Sequence, residues 1–427
     1  MSSILKQLTL DMFSVLSRRY LSFTRDAVWS KVLLFCFILF LARLSDGIIS
    51  FWAPVQIQSV LGSPTVMGLI ISFQSVVGFI ADLVFPTMLR SARARGLVFW
   101  GIMTSGFTSF FLVNSIFWPY VAIFLITMAL WGIYYELISF ANYQFMGSAV
   151  PLNMRSSAWA IAGIFVNLAY FLGPLLAAYL LFKGYVITEA AVIGFLVAAL
   201  VLLLVTEKSH ENNVSVDLVE INPATELKHW FTLSKHVWPA IVISLLLGAI
   251  DSTFWTTGAV WTEQLAKQSF WGGLFLPIYQ FPAIVTGFLV ARWGIYKGKK
   301  ILSEKMLIVA GFFLIGLSFS GVVAWQLSMV FLSSIAISIS YPLIEGVYSD
   351  IVARMGKEKK EMIGLTSSVV NISYVVWPPI AGLITTRVGE RMTFGVVGAI
   401  TVVTAIILIF VTPKKLRLPQ EEIKKWE

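Results

Sequence analysis

Charge is scarce in this chain. Only 12% of its 427 residues are Asp, Glu, Lys or Arg, about half the ~25% of an ordinary globular domain. Hydrophobic residues make up 58%, and the mean hydropathy is +0.84. A soluble fold cannot hide that much apolar surface, because its exterior must still be largely polar. The shortage of charge therefore excludes a soluble enzyme, a nucleic-acid-binding domain and a disordered chain. The apolar residues do not alternate with polar ones, which argues against an outer-membrane barrel. A single cysteine, Cys36, excludes an internal disulfide framework. Histidine is equally rare. His210, His229 and His236 share one hydrophilic stretch without the H-E-x-x-H spacing, so no metal site is expected. The G-x-x-x-x-G-K-[ST] pattern is missing as well, and neither ATP hydrolysis nor any cofactor is expected. No signal peptide is expected, since the first long apolar run begins only at Val32 with no small-residue cleavage site after a basic start.

What is abundant is long apolar runs. A bilayer core needs about 20 apolar residues per helix, and twelve runs qualify: 32–53, 65–89, 96–114, 117–140, 158–182, 186–206, 237–258, 271–293, 303–323, 326–348, 363–385 and 392–412. They divide the chain into a cytoplasmic N-terminal segment (1–31), a six-helix bundle (32–206), a hydrophilic linker (207–236), a second six-helix bundle (237–412) and a tail (413–427). The first segment reads either as an amphipathic surface helix, with Leu8, Met12, Val15 and Leu16 on one side, or as a frayed tail.

The net charge of +9 acts as an orientation signal. Of the 31 basic residues, 26 fall on the side of the termini, and only Lys183, Lys267, Arg387 and Arg391 fall opposite. Basic loops stay inside, so both termini are expected to be cytoplasmic, with the chain in the plasma (inner) membrane. The basic loops would also touch anionic lipid heads.

Sliding the second bundle onto the first pairs the rare polar residues at a nearly constant offset. Asp46 meets Asp251, Gln74 meets Gln280, Asn167 meets Asn371, Glu136 meets Glu345 and Pro174 meets Pro379. Two copies in the same orientation imply a pseudo-two-fold axis along the membrane normal, with the binding site at the repeat interface near the midplane. Asp46, Gln74, Asn167 and their partners fall roughly 12–22 Å into their helices at 1.5 Å per residue, which predicts a polar layer at mid-depth.

Twelve helices in two six-helix halves with a long central loop resemble the major facilitator superfamily. The family's loop 2–3 signature, Gly-x-Leu-x-Asp-Arg-x-Gly-Arg/Lys-Arg/Lys, is similar to Gly78-Phe79-Ile80-Ala81-Asp82 followed by Arg90, Arg93 and Arg95, with Phe85 where the second Gly belongs. It is also similar to the run Gly287 to Gly294, which keeps Arg292 but has Ala291 in place of Asp, followed by Lys297, Lys299 and Lys300. Helix 5 carries Gly163, Gly173-Pro174 and Ala177-Ala178, similar to a helix-5 motif common among the family's proton-coupled exporters. The resemblance implies an all-α fold and alternating access. It also implies a cytoplasmic gate that draws on Asp82, Arg90, Arg93, Glu136, Arg292 and Glu345.

Charges at mid-membrane cost roughly 2.5–3.5 kcal/mol each, so they persist when paired, hydrated or functional. Arg43 and Asp46 are three apart and share a helix face, whereas the residue matching Arg43 in the second half is Gly248. We expect Asp46 to stay ionised beside Arg43, and Asp251 to take and release a proton or bind a cation. The alternative is one static salt-bridge network. Gln74, Gln280, Asn167, Asn371, Trp52 and Trp255 are the candidate substrate contacts, and Trp131, Tyr134, Tyr135 and Trp377 are further candidate lining residues. Glu136 and Glu345 are expected near the cytoplasmic surface. The expected function is secondary transport by a monomer, most simply proton-coupled export of a small amphipathic solute. Uptake of a sugar or organic ion is the alternative, and a flippase, a receptor or a membrane enzyme is further off.

Overall fold

The computed structural model describes residues 27–89, 92–151, 154–205, 223–293, 298–352, 355 and 359–412. Among the described residues there are twelve helices and no strand. In hydrocarbon every backbone N–H and C=O must be satisfied within the segment, which leaves the helix as the way to span. The helices are α1 (Ala27–Leu61), α2 (Pro64–Met88), α3 (Ala94–Asn114), α4 (Val121–Ser148), α5 (Arg155–Lys183) and α6 (Tyr185–Val205), followed by the long α7. That helix runs as Pro223–Thr253, a π-helical turn Phe254–Gly258, and Ala259–Gln268. After a 3-10 turn, Phe270–Leu274, come α8 (Phe275–Trp293), α9 (Lys299–Leu317), α10 (Val323–Val352), α11 (Lys359–Val388) and α12 (Glu390–Val411).

Ten of the twelve are long and apolar enough to cross a membrane by themselves; α8 and α9 are the other two. Two charges of α9 are met inside the bundle. Lys300 pairs with Glu304 at 2.8 Å, both buried, and also donates to Thr412 of the last turn.

Several boundaries differ from the sequence reading. Residues 223–236, assigned to the linker, already form the first turns of α7, and 206–222 lie outside the described residues. Most of the N-terminal segment and the whole tail 413–427 also lie outside them. Hydropathy stops α4 at 140, but the helix continues to Ser148. Polar turns such as 141–148 satisfy their backbone helically while their side chains meet water or protein, so hydropathy is blind to them. As a consequence Glu136 sits near the middle of α4 rather than at its cytoplasmic end.

The packing repeats with the sequence. In the first half α1 packs on α5 and α6, and α4 on α2 and α3; α3 also meets α6. In the second half α7 packs on α11 and α12, α10 on α8 and α9, and α9 on α12. The halves join through α2 against α11 and α5 against α8, which the pseudo-two-fold exchanges. The turns repeat as well: α5–α6 and α11–α12 each close on a glycine of positive φ, Gly184 (127°) and Gly389 (83°), a conformation an L side chain rarely adopts.

Contacts between halves concentrate at the end carrying the α1–α2 and α11–α12 turns. Gln58 donates to Glu390 at 2.9 Å, and the Thr65 and Thr386 hydroxyls lie 2.9 Å apart. A Cβ on Gly382 would stand 2.3 Å from the Pro64 carbonyl oxygen. Lys183, Lys267, Arg387 and Arg391 belong to this end, and the halves meet closely there. We predict that a Thr65→Cys/Thr386→Cys pair forms a disulfide readily, because the only native cysteine, Cys36, is buried and does not compete. Adding Gly382→Val should sharply reduce the cross-link, read as a mobility shift on non-reducing gels.

Candidate functional site

The two repeat-related aspartates sit in nests of the same origin and different chemistry. Asp46 on α1 is fully buried. Its Oδ1 accepts from the Trp131 indole of α4 at 2.7 Å. Its Oδ2 accepts from the Tyr170 hydroxyl of α5 at 2.5 Å and pairs with Arg43 at 3.3 Å. The Arg43 guanidinium also donates to the Tyr170 oxygen at 3.0 Å and lies over the rings of Tyr134 and Tyr135, 5.6 and 5.2 Å from their centres. Arg43 supplies a counter-charge for a carboxylate at Asp46, and the Tyr170 hydroxyl can donate or accept.

Asp251 on α7 is half-buried. Its Oδ1 accepts from the Tyr279 hydroxyl of α8 at 2.6 Å, and its Oδ2 accepts from the Tyr374 hydroxyl of α11. Among the described residues, no Lys or Arg accompanies it. Gly248, which matches Arg43, has its side-chain space filled by Ser373 of α11, whose Cβ is 2.5 Å from where a Gly248 Cβ would be. Phenol hydroxyls donate or accept, so the Asp251 nest accommodates both the carboxylate and the acid.

The nests face each other. The π-turn that follows Asp251 presents Trp255, whose ring meets the Tyr170 ring edge-on at 5.5 Å across the halves. π-turns inside helices are frequent at functional sites. Trp377 of α11 donates to Thr253 at 2.8 Å, holding α7 and α11 together beside Asp251. Gln74, Gln280 and Asn167 are half-buried and make no side-chain hydrogen bond among the described residues, so their amides are free for a ligand.

The other sequence candidates separate. Trp52 does not line the space between halves. It is fully buried inside the first half and stacks on Tyr185 of α6 at 6.2 Å. Six positions from Asp46 is 240° of rotation, which turns it away from the centre. Asn371, placed in the mid-depth layer with Asn167, instead donates to Asp82 of α2 at 3.2 Å. Asp82 and Glu136 lie within electrostatic reach of each other, and Glu136 is within reach of Arg43. These groups form a line from the first nest to the α2–α11 seam. Of the arginines expected in a relay, Arg93 is exposed without an ion pair among the described residues, and Arg90 and the side chain of Arg292 lie outside them. Glu345 is exposed near the C-terminal end of α10.

Sequence reasoning missed the two tyrosines. Their signal is the repeat Asn167-x-x-Tyr170-x-x-x-Pro174 and Asn371-x-x-Tyr374-x-x-x-Pro378, hidden because Pro174 was paired with Pro379 rather than Pro378. Each proline also removes the helical hydrogen bond to the carbonyl four residues back, which is the tyrosine's own.

Breaking one member of a buried ion pair costs about 3–5 kcal/mol because the other charge is stranded. Arg43→Leu should therefore lower the thermal unfolding temperature of the detergent-purified protein strongly. Arg43→Leu combined with Asp46→Asn should recover most of the loss.

Comparison with known proteins fits this architecture. No curated protein matches the sequence. The solved structure of peptide transporter POT in complex with sulfate is similar over 92% of this chain and 95% of its own, with TM-score 0.69 and 14% identity. The nucleoside transporter NupG is similar over 89% of this chain and all of its own, with TM-score 0.67 and 12% identity. The human organic anion transporter MFSD10 (TETRAN) is similar over 90% of this chain and all of its own, with TM-score 0.59 and 17% identity. At these identities the likeness speaks for the fold. A family model also matches residues 35–357 and 305–427, most of the chain, and this integral membrane protein belongs to the Major Facilitator Superfamily.

Proposed function

We propose that the protein is a proton-coupled secondary transporter that exports a small amphipathic solute by alternating access, with Asp251 as the proton-carrying group. The observation that carries this reading is the difference between the nests. Arg43 gives Asp46 a counter-charge and Trp131 gives it a donor, so Asp46 stays ionised as part of the scaffold. Tyr279 and Tyr374 can reverse their hydrogen bonds, so Asp251 exchanges a proton without stranding a polar group. It is also half-buried and reachable from the space between the halves.

Gln74, Gln280 and Asn167 bind the polar groups of the solute, and Trp255 packs on its apolar body. The tightly packed end is extracellular by the distribution of basic residues, so the cytoplasmic contact is the one that parts for an exported solute to be loaded. Asp82, Glu136 and Asn371 form the cytoplasmic gate. Their contact closes the α2–α11 seam, while α8 carries Ala291 where α2 carries Asp82 and gives Asn167 no acid to hold. The small-residue run around Gly173-Pro174 favours export. Uptake of a polar solute by symport is the second reading, and the direction of the proton gradient that drives flux separates the two.

The test is reconstitution into proteoliposomes. The wild type should accumulate substrate against its gradient when a pH gradient is imposed. Asp251→Asn should lose uphill transport by at least tenfold while keeping downhill counterflow. Uphill transport by Asp251→Asn would sink the assignment.

A further inference from the structure

The first half displays what its nest holds. An aspartate, a repeat-related tyrosine and further aromatic rings surround a guanidinium, which pairs with Asp46 and lies over Tyr134 and Tyr135. The second half repeats the aspartate and the tyrosine as Asp251 and Tyr374, adds Tyr279, and places Trp255 and Trp377 beside them. Among the described residues it supplies no cation from its own helices, because Gly248 stands where Arg43 would and Ser373 fills the root of that side chain's path. The described titratable groups around Asp251 are neutral phenols: Tyr279 from α8 and Tyr374 from α11 bond it, Tyr341 from α10 lies within electrostatic reach, and Tyr170 from α5 lies within reach of Tyr374 across the interface. Arg43 is already matched by Asp46, so the centre as a whole carries one uncompensated negative charge when Asp251 is ionised.

From this we infer that the substrate is a monovalent organic cation, an ammonium, guanidinium or phosphonium head on a flat apolar body, and that its head sits on Asp251 against Trp255. This deepens the proposed function and rests on it for the transport step. Cations are attracted both to a desolvated carboxylate and to the faces of aromatic rings. The amides of Gln280 and Asn167 border the same space and suit a polar substituent on the body.

Charge counting then sets the stoichiometry. Asp251 compensates one positive charge, either the proton or the head. When the head binds, the carboxyl O–H breaks, its proton leaves to water, and the carboxylate pairs with the cation. Exchange is one for one and electroneutral. A dication would bring a second charge beside Arg43 and is disfavoured, and an anion finds no free cation.

The experiment uses the full-length protein in detergent with tetraphenylphosphonium as probe, triphenylphosphine oxide as its uncharged counterpart, and calorimetry between pH 5.5 and 8.5. Tetraphenylphosphonium should bind at pH 8.5 and weaken by up to tenfold for each pH unit once Asp251 is protonated, with one proton released per probe. Asp251→Asn and Trp255→Leu should each weaken binding at least tenfold, while the uncharged probe should bind poorly to all forms. Equal binding of charged and uncharged probes would overturn the assignment of a cationic substrate. So would unchanged binding by Asp251→Asn in a protein whose unfolding temperature is that of the wild type. Binding that depends on Asp251 but releases no proton and ignores pH would keep the cation and remove the proton coupling, so the two readings fail separately.

Discussion

The structure is organised by the cost of placing charge in hydrocarbon. A few buried charges are admitted, and the fold is arranged so that each is met. Lys300 meets Glu304 and Thr412. Arg43 meets Asp46, Tyr170 and two aromatic faces. Asp251 has hydrogen bonds and no counter-charge among the described residues. Under the proposed function this acid is where an external positive charge enters the cycle.

The duplicated architecture turns this imbalance into a mechanism. Both halves use the same parts: an aspartate on the first helix, a tyrosine on the fifth and a proline one turn beyond. A single replacement separates their roles, since Arg43 in one half corresponds to Gly248 in the other. The arginine half carries its own counter-charge at Asp46. The glycine half keeps partners that can switch between donating and accepting. Trp255 against Tyr170 puts the two in direct contact across the interface, so a change at Asp251 is felt at the surface along which the halves move. The line Arg43, Glu136, Asp82, Asn371 extends from the first nest to the α2–α11 seam.

The two ends are held differently. At the end of the α1–α2 and α11–α12 turns, the halves meet through small residues and neutral or singly charged hydrogen bonds, such as Gly382 against Pro64 and Gln58 on Glu390. Close backbone approach joins this end through van der Waals contact, which is how helices associate where lipid offers no hydrophobic drive. Toward the other end, the described polar contact across the α2–α11 seam is one amide on one carboxylate, which is more easily parted.

The sequence by itself was enough for the membrane setting, the twelve spans, the two related halves, and the short set of interior charges from which Arg43, Asp46 and Asp251 stood out. Those properties follow from composition and period, which any apolar helix shows without knowledge of its neighbours. It also contained the Asn-x-x-Tyr-x-x-x-Pro repeat, although only the placement of the tyrosines revealed its purpose. Tertiary structure decided which face each residue presents. It turned Trp52 into the first bundle, carried Asn371 to Asp82, set Glu136 deep in a helix longer than its apolar run, and left Arg93 outside the relay. Above all it decided that Asp46 is sealed and Asp251 reachable. That difference depends on what α4, α5, α8 and α11 bring to each carboxylate, and no property of the aspartates' own helices encodes it.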